Sequence, residues 1–318
     1  DHYSGSAVCA PTRCVLMTGL HTGHCRRRDN KAAAARDQSD ENGLVFLKDE
    51  DVTVAESLQK AGYVTGGIGK WGLGNPGSAG TPDKQGFDHF FGYLDQVHAH
   101  DHYTDWLWND GERMETNKRY SHYLFEEDTT RFIRQHKDKP FFLYLPYCLP
   151  HGKYVIPHDD PAYQIYKDKP WSQDVRNYAA MVTRADTTVG VILDLLQELN
   201  LDEDTIVFYT SDNGPNTPFV KSLGSNVPFQ GIKRTLYEGG IRAAIAVRWP
   251  GHTPTGVTSD FVWGMRDVFP TLCDLAGTST PQNLDGISVV PTLTGKSQAD
   301  RGALYWAFPG GSQQAVRM

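Results

Sequence analysis

Apolar residues along this chain occur in two patterns, helical spacing and short continuous runs, and the two patterns alternate. The longest helical pattern covers residues 173–199, where apolar side chains recur at steps of three and four. Shorter patterns of this kind predict helices at residues 53–61, 121–136 and 265–276. Continuous apolar runs predict strands at residues 63–68, 141–147, 205–210 and 241–249. The alternation predicts an α/β fold with a largely parallel central sheet flanked by helices.

Local signals support two of the predicted helix ends. Thr53 is followed three residues later by Glu56, which is the spacing of a capping box at a helix N-terminus. Gly277 follows the helical pattern of residues 265–276, and glycine is the residue favoured just after a helix ends. Both signals are local, so they predict where these helices stop and start without reference to the rest of the fold.

The composition changes after Gly277, where Ser, Thr, Pro and Gly become frequent. Two short β-rich or aromatic runs follow, at residues 304–308 and 313–317. We interpret residues 1–280 as the main α/β domain and residues 281–318 as the beginning of a small antiparallel C-terminal unit.

Charge and hydropathy exclude two classes of protein. The 318 residues include 31 basic and 38 acidic side chains, a net charge of −7, so no basic excess favours binding to nucleic acid. No apolar run approaches the roughly 20 residues that span a bilayer, which argues against an integral membrane protein. The five cysteines are scattered and odd in number, which argues against a disulfide framework and a structural zinc site.

Polar residues that could bind ligands or take part in catalysis follow the predicted strands. The carboxyl ends of the strands are where α/β sheets bind their ligands. Asp212 and Asn213 follow residues 205–210 and offer hard oxygen atoms to Ca²⁺ or Mg²⁺, although the same residues also suit an Asx turn. His151 follows residues 141–147 and could equally be structural. Lys70 and Lys233 each lie beside glycines, which would let an oxyanion approach closely.

Cys9 lies just before an apolar helix that begins near Pro11, a residue suited to the first helical turn. The free N–H groups and the dipole of a helix N-terminus favour an anion there. Arg13 is one turn further along and lies near the same end. A buried thiol at a helix start is the alternative interpretation of Cys9.

Four sequence blocks, taken together and in this order, resemble the signatures of the type I sulfatases. Cys9-Ala10-Pro11-Thr12-Arg13, followed by Leu16-Met17-Thr18-Gly19, resembles the first signature. The other blocks are the run from Gly62 to Trp71, Ser211-Asp212-Asn213-Gly214, and the run from Gly231 through Lys233 and Glu238-Gly239-Gly240 to Gly251. The resemblance extends from Tyr3 to the last residue and implies the alkaline phosphatase-like fold and a sulfuric ester hydrolase.

The resemblance implies a role for each matching residue near the nucleophile. Cys9 would be oxidised after translation to formylglycine, whose hydrate attacks the sulfur atom. Arg13 would hold the formylglycine. Asp212 and Asn213 would bind a divalent cation, Ca²⁺ in the first place and Mg²⁺ as the alternative.

The resemblance also implies roles for three residues that handle charge and protons. Lys70 and Lys233 would neutralise the sulfate oxygens as charge builds up during transfer. His151 would protonate the leaving oxygen as a general acid. The implied partners are a sulfated small molecule or glycan and a formylglycine-generating maturation enzyme, and the implied location is periplasmic or secreted.

The sequence departs from the family pattern in two places. The family usually has a histidine two residues after the signature lysine, and this chain has Gly72. We expect His98 or His100 to enter the pocket in its place, and the alternatives for this stretch are a polar loop rich in histidine and an independent metal site. The family's first strand carries an Asp-Asp pair that supplies half of the metal ligands, and the given sequence begins after that position. We therefore expect the polypeptide as given to bind metal weakly.

Two other functions fit part of these observations. A phosphate or phosphonate ester hydrolase of the same superfamily would use the same nucleophile. An inactive fragment that binds sulfate or glycan would agree with Gly72 and the incomplete ligand set.

Overall fold

The structure is a computed structural model that describes residues 1–30, 45–308 and 312–318. Its helices are α1 Cys9–Thr18, α2 Val54–Lys60, α3 Ser121–His136, α4 Pro161–Gln164, α5 Gln173–Glu198, α6 Thr217–Leu223, α7 Glu238–Ile241, α8 Val268–Leu275 and α9 Val290–Leu293. Its strands are β1 His2–Tyr3, β2 Val64–Lys70, β3 His89–Tyr93, β4 Trp106–Asn109, β5 Glu112–Glu115, β6 Phe141–Tyr144, β7 Val207–Thr210, β8 Ile245–Arg248, β9 Trp263–Gly264, β10 Leu304–Phe308 and β11 Gln313–Arg317.

The chain divides into two compact units. The first unit comprises Asp1–Tyr63, Leu73–Gly86 and Glu203–Met318. The second unit comprises Val64–Gly72 and Phe87–Asp202. The division cuts across the sequence, so each unit is built from segments that are distant along the chain.

The second unit is organised around a five-stranded sheet with the order β5-β4-β3-β2-β6. Strand β2 runs parallel to β3 and to β6, and Lys70 at the end of β2 lies opposite Tyr93 at the end of β3. Parallel strands end at the same edge of a sheet, so the residues that follow β2, β3 and β6 emerge on one side. The helix α3 packs on β2 and β3 and closes the core of this unit.

A β-hairpin that the hydrophobic pattern did not predict extends this sheet. Strands β4 and β5 pair antiparallel, and β4 pairs antiparallel with β3, so the sheet is mixed. The hairpin turns at Asp110 and Gly111, which have φ angles of 48° and 87°. An Asp-Gly pair with positive φ at both positions forms the tight turn that suits the twist of a hairpin.

The first unit contains three short pairs of strands among the described residues. Strand β1 pairs parallel with β9, whereas the pairs β7–β8 and β10–β11 are antiparallel. The helices α1, α2 and α8 pack on one another. A buried cluster joins the two ends of the chain and comprises Tyr3, Ala7, Val8, Ile241, Leu304, Trp306 and Phe308.

The predicted elements are largely present, and the α/β class is confirmed. The predicted helix at 121–136 and the C-terminal strands have the predicted bounds, and the antiparallel pairing of β10 with β11 is also as expected. The capping box of Thr53 and Glu56 is formed with both reciprocal hydrogen bonds. The domain boundary at residue 280 stays a prediction.

Three predicted elements differ from the observed ones in length or environment. The helix predicted at 265–276 starts with a 3-10 turn, Met265–Asp267. The strand predicted at 241–249 is shortened, because its first residue belongs to α7. The strand predicted as buried at 141–147 is half-buried along β6, because β6 is an edge strand of its sheet. Within the described ranges, no helix combines the length and apolar content that crossing a bilayer requires.

Candidate active site

Cys9 is the first residue of α1, and its side chain is only 2% exposed. The preceding residue, Val8, is extended and caps the helix with no side-chain hydrogen bond. Pro11 lies in the first turn, as its fixed φ and missing N–H favour. The thiol of Cys9 therefore lies at a helix N-terminus, where the dipole stabilises negative charge.

Lys233 brings a cation to this thiol. Its Nζ donates a hydrogen bond to Sγ of Cys9 over 3.6 Å, and the contact is buried. Two backbone hydrogen bonds hold the lysine loop, from the N–H of Lys233 to the carbonyl of Pro215 and from the N–H of Arg234 to the carbonyl of Ala7. The second bond ties this loop to the segment that leads into α1. The N-terminus of α1 and the ammonium group of Lys233 therefore both place positive charge beside the thiol.

Arg13 and Asp212 form an ion pair next to the same helix. Nη2 of Arg13 lies 3.5 Å from Oδ2 of Asp212, and the guanidinium is buried while the carboxylate is partly exposed. Arg13 is one helical turn after Cys9, so the ion pair links the loop after β7 to the N-terminal half of α1. The predicted residues Cys9, Arg13, Lys233 and Asp212 are thus connected within the first unit.

Asn213 presents an amide oxygen that lacks a hydrogen-bond partner among the described residues, although it is buried. Its Nδ2 donates to the carbonyl of Gly214 at 2.9 Å, which orients the amide. Gly214 must be glycine here, because a Cβ atom would lie 1.9 Å from the carbonyl oxygen of Gly239. The loop is consequently packed tightly against the start of α7, and the Asn213 oxygen is held in place.

The oxygen atoms of Asp212 and Asn213 fit a hard divalent cation in their chemistry. The buried amide oxygen of Asn213 is unpaired among the described residues, and a buried acceptor of this kind is unfavourable unless a donor or a cation meets it. Ca²⁺ takes six to eight oxygen ligands, so these two side chains would supply only part of its coordination shell.

Lys70 ends β2 in the second unit and is 3% exposed. Its N–H donates to the carbonyl of Pro146, which continues the pairing of β2 with the segment after β6. The preceding residue, Gly69, has a φ of 130° and would place a Cβ atom 2.5 Å from that same carbonyl oxygen. Glycine at position 69 therefore permits the close approach that positions the lysine at the end of the strand.

His151 follows β6 on a loop that emerges from the same sheet edge as Lys70. Its Nδ1 lies 3.1 Å from the carbonyl oxygen of Gly152. A carbonyl oxygen can only accept, so this bond places the proton on Nδ1 and leaves Nε2 to exchange a proton. The ring stacks on that of His100, with centroids 4.5 Å apart and 12° between the planes.

The two histidines predicted to enter the pocket have different surroundings. Nε2 of His98 makes a 2.6 Å hydrogen bond with Thr104, and its ring packs against Tyr93 and Trp106. Burial lowers the pKa of His98 below its ordinary value. The ring of His100 instead stacks on that of His151, so the two predicted histidines lie in different environments.

One polar residue at this sheet edge, Gln96, was not singled out by the sequence motifs. It follows β3, whose Gly-interrupted run His89–Tyr93 does not resemble a buried strand. The rule that ligands bind after strands would have identified Gln96 had β3 been predicted. Gly72, which stands where the family has histidine, lies next to it, as described below.

Comparison with known proteins is consistent with these arrangements. A family model described as Sulfatase matches residues 1–278. Human N-acetylgalactosamine-6-sulfatase is 31% identical over 96% of this chain, and human arylsulfatase G is 31% identical over 100% of this chain. These matches cover 60% and 67% of the two relatives. The chain therefore spans about 60% of the length of the first of these curated relatives.

Solved structures show the same fold. The crystal structure titled Ps i-CgsB in complex with k-i-k-neocarrahexaose superimposes with a TM-score of 0.83. The superposition covers 100% of this chain and 73% of the other, at 24% sequence identity. At 24% sequence identity the structural similarity establishes the fold only. The chemistry has to be inferred from the residues of the site.

Proposed function

Because the chain belongs to the sulfatase family, we propose that it hydrolyses the sulfate ester of a sulfated carbohydrate or an aryl sulfate. The observation that carries the proposal is the position of Cys9, buried at the N-terminus of α1 and hydrogen-bonded by Lys233. The name of the N-acetylgalactosamine-6-sulfatase relative supports a sulfated sugar as the substrate class.

Cys9 supplies the nucleophile after oxidation to formylglycine by a maturation enzyme. In water the aldehyde forms a gem-diol, one hydroxyl of which attacks sulfur and displaces the alcohol of the ester. Loss of a proton from the second hydroxyl then lets the diol collapse to the aldehyde, with release of sulfate. A serine hydroxyl could not release sulfate in this way, because it has no second hydroxyl on the same carbon.

The cationic side chains stabilise the charge that develops on the sulfate oxygens. Lys233 is buried and held by its loop, so its ammonium group needs little reorganisation when that charge appears. The family resemblance assigns the same role to Lys70. Arg13 holds the formylglycine and is itself oriented by Asp212.

His151 acts as the general acid for the leaving oxygen. The bond from Nδ1 to Gly152 fixes the ring so that Nε2 carries the transferred proton. His100 stacks on this ring, and we propose that it serves in place of the histidine that the family has at position 72. His98 would then support the loop through its bond to Thr104.

Asp212 and Asn213 would hold the divalent cation, Ca²⁺ in preference to Mg²⁺. When bound, the cation would lower the pKa of a hydroxyl group and offset the negative charge of the sulfate. The orphaned oxygen of Asn213 supports this assignment. The proposed location of the protein is the periplasm or the extracellular space.

The test compares the release of sulfate from an aryl sulfate with the release of phosphate from the matching aryl phosphate. The protein is expressed in a host that has the formylglycine-generating enzyme, and Cys9→Ala is compared with Cys273→Ala, a change at a buried cysteine of α8. We expect turnover of the sulfate to be abolished by Cys9→Ala and kept by Cys273→Ala. Mass spectrometry of the Cys9 peptide should show a loss of about 18 Da on conversion to the aldehyde.

Other outcomes would identify the alternative functions. Preferential turnover of the aryl phosphate would indicate a phosphate or phosphonate ester hydrolase. An unmodified Cys9 together with sulfate binding and no turnover would indicate a protein that only binds sulfated ligands.

A further inference from the structure

The side-chain amide of Gln96 lies in the space that a side chain at position 72 would occupy. A Cβ atom built on Gly72 would be 1.6 Å from Nε2 of Gln96 and 2.8 Å from its amide carbon. Gly72 has a φ of 80° and its N–H donates to the carbonyl of Leu94. Glycine at this position therefore has two effects. It allows a backbone conformation with positive φ, and it leaves room for the amide of Gln96.

The amide of Gln96 is buried and unpaired. Both its Nε2 and its Oε1 are shielded from solvent, and neither has a hydrogen-bond partner among the described residues. Native proteins rarely leave both polar atoms of a buried amide unsatisfied, because the lost hydration is not replaced. A ligand that brings an acceptor would satisfy the NH₂ group, which is the donor half of this amide.

The backbone around Gln96 is held firmly. Oδ1 of Asp95 accepts hydrogen bonds from the N–H groups of Val97, at 2.7 Å, and His98, at 2.8 Å. These bonds form a turn directly after β3, so the amide is positioned by the fold.

The amide also lies at the sheet edge that carries Lys70. Lys70 and Tyr93 are register partners at the ends of β2 and β3, and Gly72 follows Lys70 by two residues while Gln96 follows Tyr93 by three. The NH₂ group is thus placed beside the segment that continues from Lys70. An uncharged donor at the same sheet edge as a buried lysine is suited to a tetrahedral oxyanion, which needs several donors at once.

We propose that Gln96 is a substrate-binding residue whose NH₂ group donates a hydrogen bond to an oxygen of the sulfate group. The proposal rests on the proposed function, since sulfate is its ligand. It also explains why position 72 has no side chain, because any side chain there would displace the amide that binds the anion.

The test measures the binding of inorganic sulfate to the full chain by calorimetry, with Gln96→Leu and Gln96→Glu. Leucine has a side chain of similar size to glutamine but no polar atoms. Glutamate replaces the NH₂ donor with a negatively charged oxygen. We expect the Kd for sulfate to rise about tenfold in Gln96→Leu, the value of one hydrogen bond to a charged group, and further in Gln96→Glu. Gln135→Leu, at an exposed position of α3, is the matched control and should bind like the wild type.

Thermal unfolding without sulfate separates binding from structure. Removal of an unpaired buried amide should leave the Tm of Gln96→Leu unchanged or higher, whereas an amide that only supports the fold would give a lower Tm with an unchanged Kd. If the leucine variant does not fold, Gln96→Asn, whose amide is one methylene shorter, should show the same loss of affinity.

The binding result is independent of turnover. A wild-type chain that binds sulfate but releases none from an aryl sulfate would contradict the proposed function and leave the role of Gln96 supported by its variants. Equal sulfate affinity in wild type and Gln96→Leu, or no sulfate binding by the wild type, would refute the role of Gln96.

Discussion

The ammonium group of Lys233 donates a hydrogen bond to the thiol of Cys9 over 3.6 Å, although the two residues are 224 positions apart in sequence. The lysine is brought there by a loop whose backbone bonds to Pro215 and Ala7. In the proposed reaction, a cation held this close to residue 9 would stabilise the negative charge that forms during sulfate transfer.

Replacement of this lysine should reduce turnover strongly. Lys233→Met keeps the length of the side chain and removes the charge, and we expect kcat for an aryl sulfate to fall by about 10²-fold or more. The measurement is steady-state kinetics on protein that carries the formylglycine. Lys221→Met, at an exposed position of α6, is the control and should change kcat little. A kcat for Lys233→Met within a factor of about three of the wild type would contradict this role.

Removal of the orphaned oxygen of Asn213 should weaken cation binding. Ca²⁺ that binds only the folded chain raises its Tm, so we expect a concentration-dependent rise in the wild type and a smaller one in Asn213→Leu. The described residues offer a partial ligand set, so the titration should extend to about 10 mM Ca²⁺. EDTA should reverse the rise. The same Tm response in Asn213→Leu and in the wild type would argue against the assignment.

The capping box at the start of α2 should contribute measurably to stability. Oγ1 of Thr53 accepts from the N–H of Glu56 and also donates to the carbonyl of Gln85 at 2.7 Å. Thr53→Ala loses both bonds, and we expect the free energy of unfolding to fall by about 1–2 kcal/mol in urea titrations. Thr53→Ser keeps the hydroxyl group and should lose less. Equal losses in the two variants would show that the methyl group, rather than the hydroxyl, matters.

His122 should make the second unit sensitive to acid. Burial lowers the pKa of His122 to about 3, with further lowering by the charges of Arg184 and His102. The folded state therefore resists protonation while the unfolded state takes up a proton below the ordinary pKa of 6.5. Stability is lost as the pH falls from 6.5 towards 3, and this residue contributes a slope of about 1.4 kcal/mol per pH unit.

The variant His122→Asn isolates this contribution. Its unfolding free energy should depend less steeply on pH over that range than that of the wild type, even if the absolute stability is lower because the 2.9 Å bond to Thr188 is changed. The measurement is urea unfolding at a series of pH values. An unchanged slope would mean that His122 is protonated in the folded protein.

Prediction from the sequence was most successful where the signal is local. The bounds of α3, the capping box of Thr53 and the position of Cys9 at a helix start depend on residues within a few positions of one another. The hairpin of β4 and β5 was missed although its Asp110-Gly111 turn is also a local signal. Its strands mix aromatic and charged residues and lack a continuous apolar run, so the hydrophobic pattern does not predict them.

The sequence by itself determined the α/β class, the capping box of α2 and the order of the four family motifs along the chain. The periodicity of apolar residues and the hydrogen bonds between near neighbours depend only on short stretches of chain. Both can therefore be predicted without knowledge of the fold. Only the tertiary structure decided that Lys233 reaches Cys9, that Arg13 pairs with Asp212, and that the amide of Gln96 fills the space above Gly72. Those relationships depend on which distant segments pack together, and packing is decided by the whole chain at once.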